Sequence, residues 1–323
     1  MQYSYQLSLF AITCSIVVSI LHAQDEIADA VVAAKVDGQP IYAREIEREV
    51  KKVVKDREVD PAASKILRAQ ALEQMISRRL ILMFLKSKQL GPSDADIEHA
   101  VERAKNRLKQ QELTLEQFLN RSGLTEDEFR QTLQWQIGWN GYLEKYLTDE
   151  NLQNYFAKNQ KEFDGSQLRI SQILFKVKSD DDQQTWDQAM KKAAQVGEAL
   201  RSKEMDFATA AKNHSNAPSA SKGGDVGLIS RHEPMPESFS IAAFALEQGE
   251  VSKPIKSPFG VHLIQCVGIK PGQKRWQDVR KELEVAVMKY LFDWIADQQR
   301  PNAVIEYTGS VPHFKSGTKE LAD

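Results

Sequence analysis

The sequence predicts an α+β protein with two folding units: an all-helical module and, after it, a compact unit that mixes short strands with helices. Up to about residue 163, several long stretches place apolar side chains at helical spacing. Residues 167–270 instead alternate short, β-branched apolar runs with glycine-rich turns. A chain of 323 residues with 41% hydrophobic content is long enough to bury two cores.

The first residues predict a secretory signal. Leu7–Leu21 carries no charge, is too short for a comfortable membrane span, and is followed by His22 and Ala23 before acidic residues. We therefore expect residues 1–23 to be a signal peptide that is cut after Ala23. Because no Lys or Arg precedes the apolar run, a retained membrane anchor is the alternative. Removal would leave Cys266 as the remaining cysteine, so no internal disulfide could form.

The amino-terminal module begins with a strand-like run, Ala34–Ile41, that contains an Asp-Gly turn signal. Helical signals follow: Pro61 suits a first helical turn, Gly91-Pro92 ends a helix, and Thr125–Glu128 is a capping box. Together with the apolar periodicity, these signals predict helices at Ala43–Lys55, Pro61–Gln89, Ser93–Leu108, Thr114–Asn120, Thr125–Leu147 and Asn151–Phe163.

The compact unit opens with a strand at Ile170–Val177 and closes with another at Val261–Val267. Between them, apolar positions at helical spacing predict three helices, the last of which is stopped by Gly249. The predicted helices are Gln183–Arg201, Asp206–Asn213 and Ser238–Leu246. The segment fits a single domain of about 100 residues.

A further amphipathic helix, Trp276–Gln299, and a short strand, Val304–Tyr307, follow the compact unit, and Ser310–Asp323 reads as a loose polar tail. The helix needs a surface on which to bury its apolar side, and the amino-terminal module offers one. The strand-like run Val36–Ile41 lacks a local partner, so we expect it to pair with Val304–Tyr307. The expected divisions of the chain are 24–164, 165–272, 273–308 and 309–323.

Charge and composition exclude several classes of function. The formal net charge is -2 and the pI is about 6.4, without a concentrated basic stripe, so we expect no nucleic-acid partner. The histidines outside the compact unit's last strand do not show metal-ligand spacing. We therefore expect neither a metal nor a cofactor.

Five ordered motifs in the compact unit carry a family resemblance. They are Gly223-Gly224-Asp225-Val226-Gly227, Met235-Pro236-Glu237-Ser238-Phe239, Ala242-Ala243-Phe244-Ala245-Leu246, Gly249-Glu250-Val251-Ser252 and Phe259-Gly260-Val261-His262-Leu263-Ile264. In this order they resemble the parvulin family of peptidyl-prolyl cis/trans isomerases. The resemblance implies a small antiparallel sheet wrapped by helices, and isomerase activity on X-Pro bonds.

The layout of the whole chain carries a second, less sharp resemblance. A Val-x-Gly-x-Pro-Ile opening, a helical module, one parvulin-like unit and a returning helix and strand look like the SurA and PrsA type of exported foldase. In that type the helical module is the chaperone body, and the isomerase domain is appended to it.

The chemistry of isomerisation indicates what the site must supply. Rotating an X-Pro bond means crossing about 18–20 kcal/mol of lost amide resonance, which needs neither nucleophile nor metal. An apolar cup for the proline ring and hydrogen bonds that fit the twisted amide are sufficient. His262 matches the family's second active-site histidine, and Met235 and Phe239, four residues apart, would be presented together by one helical turn. The candidate substrate-binding side chains are Met235, Phe239, Phe259 and Leu228 or Ile229.

Two positions depart from the family's pattern. Where parvulins commonly have His-Ile-Leu this chain has Gln172-Ile173-Leu174, and where they commonly place Cys or Asp before Pro-Ser it has Ala217. Glutamine donates and accepts hydrogen bonds but does not titrate near neutral pH, and alanine does neither. The resemblance therefore assigns the catalytic positions to His262, Gln172 and Ala217, with half of the usual polar network missing.

Two functions follow from these features. The first is an exported, periplasmic folding factor that binds unfolded or nascent proteins and isomerises their X-Pro bonds. The second is a binding chaperone whose parvulin-like domain is catalytically weakened or inactive and serves as a second client surface. The intact cup favours the first function, and the departures at Gln172 and Ala217 favour the second.

Overall fold

The computed structural model describes residues 31–55, 57–178, 181–318 and 320–322. The expected signal peptide, residues 1–23, lies outside these ranges. The described chain divides into two compact units, one made of the residues up to Trp139 together with those from Phe292 onward, and the other of Asn140–Leu291. Among the described residues, no helix has the length and apolar character needed to cross a bilayer.

Most helices of the first half form where the apolar periodicity predicts them, and several of their amino termini carry side-chain caps. Asp60, which directly precedes Pro61, caps the second helix by accepting hydrogen bonds from the Ala62 and Ala63 amides. Ser93 and Thr114 form capping boxes at the next two helices. The helices are α1 Ala43–Val54, α2 Pro61–Ser87, α3 Asp94–Lys109, α4 Leu115–Ser122, α5 Glu126–Tyr146, α6 Asp149–Lys158 and α7 Gln160–Phe163.

The strand-like run at the start of the described chain is a hairpin, β1 Val32–Val36 and β2 Gln39–Tyr42, because Asp37 and Gly38 both adopt positive φ and reverse the chain. The sheet is completed by β7 Ile305–Tyr307, which pairs antiparallel with β1 in the order β2-β1-β7. The expected partner for Val304–Tyr307 is thus only partly right: β7 pairs with Ala34–Val36, whereas most of the predicted run Val36–Ile41 lies in the turn and in β2, which pairs locally with β1.

The core of the first unit joins this sheet to α1 and α2. Ile41, Ile46, Leu72, Ile76 and Leu80 are each fully buried in it. The expectation of a loose polar tail after residue 309 is wrong for the described residues. Val311 is buried in the same core, because the chain turns back there and its backbone is held by hydrogen bonds such as Lys315 N to Glu320 O.

The second unit contains the predicted α+β domain. Its elements are β3 Gln167–Lys176, α8 Gln183–Arg201, α9 Phe207–His214, β4 Asp225–Ile229, α10 Glu237–Phe244, β5 Ile255–Ser257, β6 Gly260–Lys270 and α11 Arg280–Gln299, the last of which continues into the first unit. The strands form an antiparallel sheet in the order β4-β3-β6-β5. The α+β class and the helix Gln183–Arg201 are confirmed.

Some predicted elements differ from the structure by more than a residue or two. The expected helix Asn151–Phe163 is two helices, because Asn159 departs from helical geometry between α6 and α7. The helix expected from Trp276 begins at Arg280. Strands β4 and β5 were not predicted, since β4 lies in the glycine-rich motif and β5 has only three residues.

Strand alternation places the two faces of this sheet in different environments. Odd-numbered residues of the central strands β3 and β6, such as Ile173 and Leu263, pack against α8 and α9. Even-numbered residues, such as Ile170 and Ile264, pack on the opposite face with α10. His262, which lies between Val261 and Leu263 on β6, therefore points to the face covered by α10.

Candidate functional site

A groove of about 720 Å³ lies on the even-numbered face of the sheet in the second unit. Its walls come from the two central strands, from the loop after α9 and from the segments that flank β4 and β5. The lining side chains include Gln172, Leu174 and Lys176 of β3, Ala217, Met235, Phe259 and His262. All three residues of the assigned polar positions, Gln172, Ala217 and His262, are thus brought to one concave surface.

The imidazole of His262 is held by hydrogen bonds on both ring nitrogens. Its Nε2 lies 2.6 Å from Ser257 Oγ, and its Nδ1 lies 3.1 Å from Gln172 Oε1. Gln172 Oε1 can only accept, so Nδ1 carries the proton of the neutral ring and donates it to this oxygen. Nε2 is then an acceptor for the Ser257 hydroxyl, whose oxygen also accepts from the Phe259 amide at 3.0 Å.

Burial keeps this imidazole neutral. His262 is only 2% exposed, and desolvation lowers its pKa to about 4. The ring of Phe239 packs edge-to-face against it, with ring centroids 5.2 Å apart and an interplanar angle of 86°. At neutral pH the row Ser257, His262, Gln172 is therefore an uncharged chain of hydrogen bonds with fixed direction.

Gln172 is positioned by the backbone around it. Its amide donates to Gly224 O at 2.9 Å, and a side chain at Gly224 would lie 2.6 Å from Gln172 O. Gly224 also has a φ of 86°, so only glycine fits there without strain. Within the part of the chain that the structure describes, no hydrogen bond involves the Gln172 Nε2 group, which leaves this donor for a bound peptide.

Ala217 is buried in the wall of the groove, in a loop that is tied to β3. The Asn216 amide donates to Leu174 O at 2.7 Å, and Ser215 Oγ accepts from the amides of Leu174 and Ala217 at 3.0 and 3.1 Å. These bonds hold the Ala217 methyl group at the position where the resemblance expects a polar side chain. The groove wall is apolar there.

The apolar part of the groove differs in detail from the predicted cup. Met235 and Phe259 line it, and Phe259 is 59% exposed. Phe239 is fully buried behind His262 and does not line the groove. The expectation that one helical turn presents Met235 and Phe239 together is wrong, because α10 begins only after Pro236.

The two alternatives at the end of β4 have different positions, and neither lines the groove. Leu228 is 53% exposed, whereas Ile229 is buried in the core beneath the sheet. The alternation along β4 explains the difference, since consecutive residues of a strand point to opposite faces. Leu228 is therefore corrected from a groove residue to an exposed strand residue.

Three residues in or beside the groove were not predicted from the sequence: Ser257, Leu174 and Lys176. Ser257 holds the imidazole, but in the sequence its position before Pro258 indicates only a turn. Leu174 and Lys176 could have been found from the period of two that starts at Gln172. Lys176 and its neighbour Lys178 are the charged side chains of the lining, which contains no carboxylate among the described residues, so the groove carries positive charge.

This arrangement suits a bond rotation better than a bond cleavage. An apolar surface lies beside a neutral, fully hydrogen-bonded imidazole and a free amide donor, and among the described residues no carboxylate is hydrogen-bonded to the imidazole. The described residues contain no cluster of His, Cys, Asp and Glu that could hold a metal. Such a site can bind a proline ring and donate a hydrogen bond to its amide.

Two protein-family profiles match separate parts of the chain. Residues 173–268 match the rotamase family, described as a PPIC-type peptidyl-prolyl isomerase domain. Residues 4–142 match the SurA-like N-terminal domain. The groove lies within the first match, since nearly all of its lining residues fall between 173 and 268.

Relatives with curated names agree with these matches. The chain is 27% identical over 273 residues to the chaperone SurA of Aromatoleum aromaticum, covering 81% of this chain and 62% of the relative. It is 40% identical over 101 residues to the foldase protein PrsA of Bacillus subtilis, covering 31% of this chain and 34% of the relative. A crystal structure of PrsA from Bacillus anthracis is 22% identical, covers 72% of this chain and 96% of that chain, and has a TM-score of 0.33. The chain spans about three fifths of the length of its SurA relative.

Proposed function

We propose, from the premise that this chain joins a PPIC-type peptidyl-prolyl isomerase domain to a SurA-like N-terminal domain, that it is a folding factor for exported proteins. It binds unfolded or nascent polypeptides and isomerises their X-Pro bonds in the groove of the second unit. No cofactor takes part in this proposal, because rotation about an amide bond transfers no electron or group.

The observation that carries the proposal is the groove itself. An exposed concavity with Met235 and Phe259 on its apolar side lies directly beside the row of Ser257, His262 and Gln172. The apolar side can accept the pyrrolidine ring, and the row can accept or donate hydrogen bonds without a change of charge. This combination stabilises a twisted amide more than a planar one, which is the requirement for catalysis.

Each polar residue has a role in this proposal. Gln172 donates from its free Nε2 group to the substrate, while its Oε1 orients His262. His262 presents a neutral ring edge to the groove because burial disfavours the imidazolium. Ser257 holds the ring from the opposite side through Nε2. Ala217 contributes only surface, so we expect turnover to be slower than with a polar residue at that position.

The helical part of the first unit is proposed to hold clients. Exposed apolar side chains occur on its helices, among them Val53, Ile66 and Trp294, and such side chains can contact unfolded chains. We propose export on the basis of the uncharged run Leu7–Leu21, with a membrane tether as the alternative if that run is retained. Amino-terminal sequencing of the exported protein distinguishes the two.

A protease-free isomerisation assay with Xaa-Pro peptides tests the catalytic part. We expect a rate above the buffer blank, and a loss of about tenfold in kcat/KM for Met235→Ala, because truncation removes roughly two methylene-sized contacts from the apolar side. The matched control is Val285→Ala, an exposed apolar residue of α11 that does not line the groove. A wild-type rate equal to the blank would exclude the enzyme.

A binding chaperone without turnover is the second candidate, and the apolar wall at Ala217 favours it. Suppression of client aggregation in the absence of catalysis would support this candidate. The double variant Gln172→His with Ala217→Asp restores the pattern that the parvulin resemblance expects. A gain in rate would support the assignment of both positions, and an unchanged rate would count against it.

A further inference from the structure

The segment between β4 and α10, residues 230–236, carries one wall of the groove. Pro234, Met235 and Pro236 all line the groove, yet none of them lies in a helix or strand. A wall made of irregular backbone must be held by side chains if it is to keep its shape before a substrate binds. The structure shows which side chains hold it.

Arg231 closes the segment on itself. Its Nη1 and Nη2 donate to Glu237 Oε2 and Oε1 at 3.0 and 2.9 Å, which is a bidentate pair between the two ends of the segment. The Arg231 side chain is only 11% exposed. The Ser230 amide also donates to Glu233 O at 3.0 Å, so the segment that carries the groove residues is closed by its own hydrogen bonds.

A second carboxylate comes from outside the isomerase domain. Glu162 Oε2 of α7 accepts from Arg231 Nε at 3.3 Å, and α7 precedes the residues 173–268 that match the isomerase family. The same short helix has a separate anchor, since Lys161 Nζ donates to Leu246 O and Glu247 Oε1 at 2.9 Å each. Neither Leu246 nor Glu247 lines the groove.

We infer that Arg231 is a positioning residue for substrate binding, and that Glu162 extends the binding site's support beyond the isomerase domain. Arg231 holds the segment 230–236 in its binding shape by closing it onto Glu237 and fastening it to α7. The kinetic part of this inference rests on the proposed isomerase function, whereas the structural part does not.

Loss of Arg231's contacts should change KM and not kcat. Met235 lies on the segment, but Ser257, His262 and Gln172 lie on the strands β5, β6 and β3. Loosening the segment therefore weakens the binding of substrate and leaves the hydrogen-bonded row in place. We expect KM to rise while kcat changes little, a pattern that loss of the domain's fold would not produce.

The experiment uses the full chain with Glu162→Gln, Arg231→Met and Arg231→Lys, and Glu247→Gln as the matched control. Glu247→Gln removes an ion pair between the same α7 helix and the same domain, away from the groove. For Glu162→Gln we expect KM to rise about three- to tenfold with kcat within about twofold, the size of one partly buried ion pair. Arg231→Met should raise KM more than Glu162→Gln does. Arg231→Lys, which keeps the positive charge, should raise KM less than Arg231→Met does.

Hydrogen exchange provides a readout that needs no catalysis. Amides between Ser230 and Met235 should exchange faster in Glu162→Gln and Arg231→Met, and at the wild-type rate in Glu247→Gln. Exchange and KM both unchanged in Glu162→Gln would overturn the inference, as would an equal effect from Glu247→Gln. If Arg231→Met does not fold, the glutamine variants decide the question. Absence of turnover in the wild type would refute the proposed function, and the exchange data would still test the segment.

Discussion

The pKa of the groove imidazole can be tested by lowering the pH. His262 is 2% exposed, and its pKa in the folded protein is about 4, whereas an unfolded histidine titrates near 6.5. The unfolded chain therefore binds more protons than the folded one between these two values. Above about pH 6.5 this group has no effect on stability; between about pH 6.5 and 4 it destabilises progressively, and below about pH 4 the loss is complete.

The size of the effect follows from the two pKa values. They differ by about 2.5, and each pKa unit corresponds to about 1.4 kcal/mol, so we expect a loss of about 3 kcal/mol in the free energy of unfolding. The comparison is with His262→Gln, which cannot titrate. Because the other histidines and the carboxylates are present in both proteins, the difference between the two pH profiles isolates this imidazole.

Two measurements check this expectation. Urea unfolding between pH 7 and 4 is followed through the native amide resonances of Gly260–Lys270, which report on this domain. A direct titration of the His262 Cε1 proton by NMR gives the pKa itself. Parallel pH profiles in the two proteins, or a titration near 6.5, would refute the argument that burial governs this group.

Three further predictions concern individual contacts. Ser257→Ala should lower the stability of the isomerase domain by about 1–3 kcal/mol, measured by urea unfolding, because an imidazole nitrogen loses its buried partner; the threonine variant, which keeps a hydroxyl, should not. Lys176→Glu should reduce kcat/KM for peptides that have Glu next to proline and raise kcat/KM for peptides that have Lys there, and both effects should weaken as salt is added. Lys212→Glu, the control, should change neither value. Glu73→Gln should destabilise the first unit by about 1 kcal/mol in thermal unfolding, since Glu73 accepts from Arg300 and Tyr307. If Lys212→Glu changed the preference between the two peptides as much as Lys176→Glu does, the cause would be the protein's overall charge and not the groove.

The fold was predictable where local signals and tertiary packing agree. The helix Gln183–Arg201 has an Asp182 cap and apolar residues at helical spacing, so its bounds follow from the sequence. The terminal strand was predictable as an addition to the first strand-like run, because a short strand needs a partner, but the sequence did not indicate that it pairs with Ala34–Val36 and that the run is itself a hairpin. In both cases the apolar residues that form the sequence pattern are the ones that stabilise the element.

The candidate site was predictable only in part. Gln172 and His262 could be placed from the motifs, but the contact between them depends on the register of β3 and β6, which no local pattern encodes. Phe239 looked like a groove residue by its spacing from Met235, yet Pro236 delays the start of the helix and turns the ring into the core. Ser257 and Arg231 were not predicted as site residues, because their bonds to His262 and Glu237 depend on how irregular segments fold, which no helix or strand periodicity encodes.

The antiparallel pairing of β1 with β7 has a consequence for how the molecule is made. Val36 lies opposite Ile305, and Asp37 bonds to Val304, so this sheet needs residues from both ends of the described chain. A chain that is synthesised or translocated from its amino end must hold the first hairpin without its neighbour until nearly all remaining residues have emerged. The isomerase domain, which is continuous in sequence, can complete itself earlier. A truncation before Ile305 would therefore leave the first sheet unfinished while sparing the domain that precedes it.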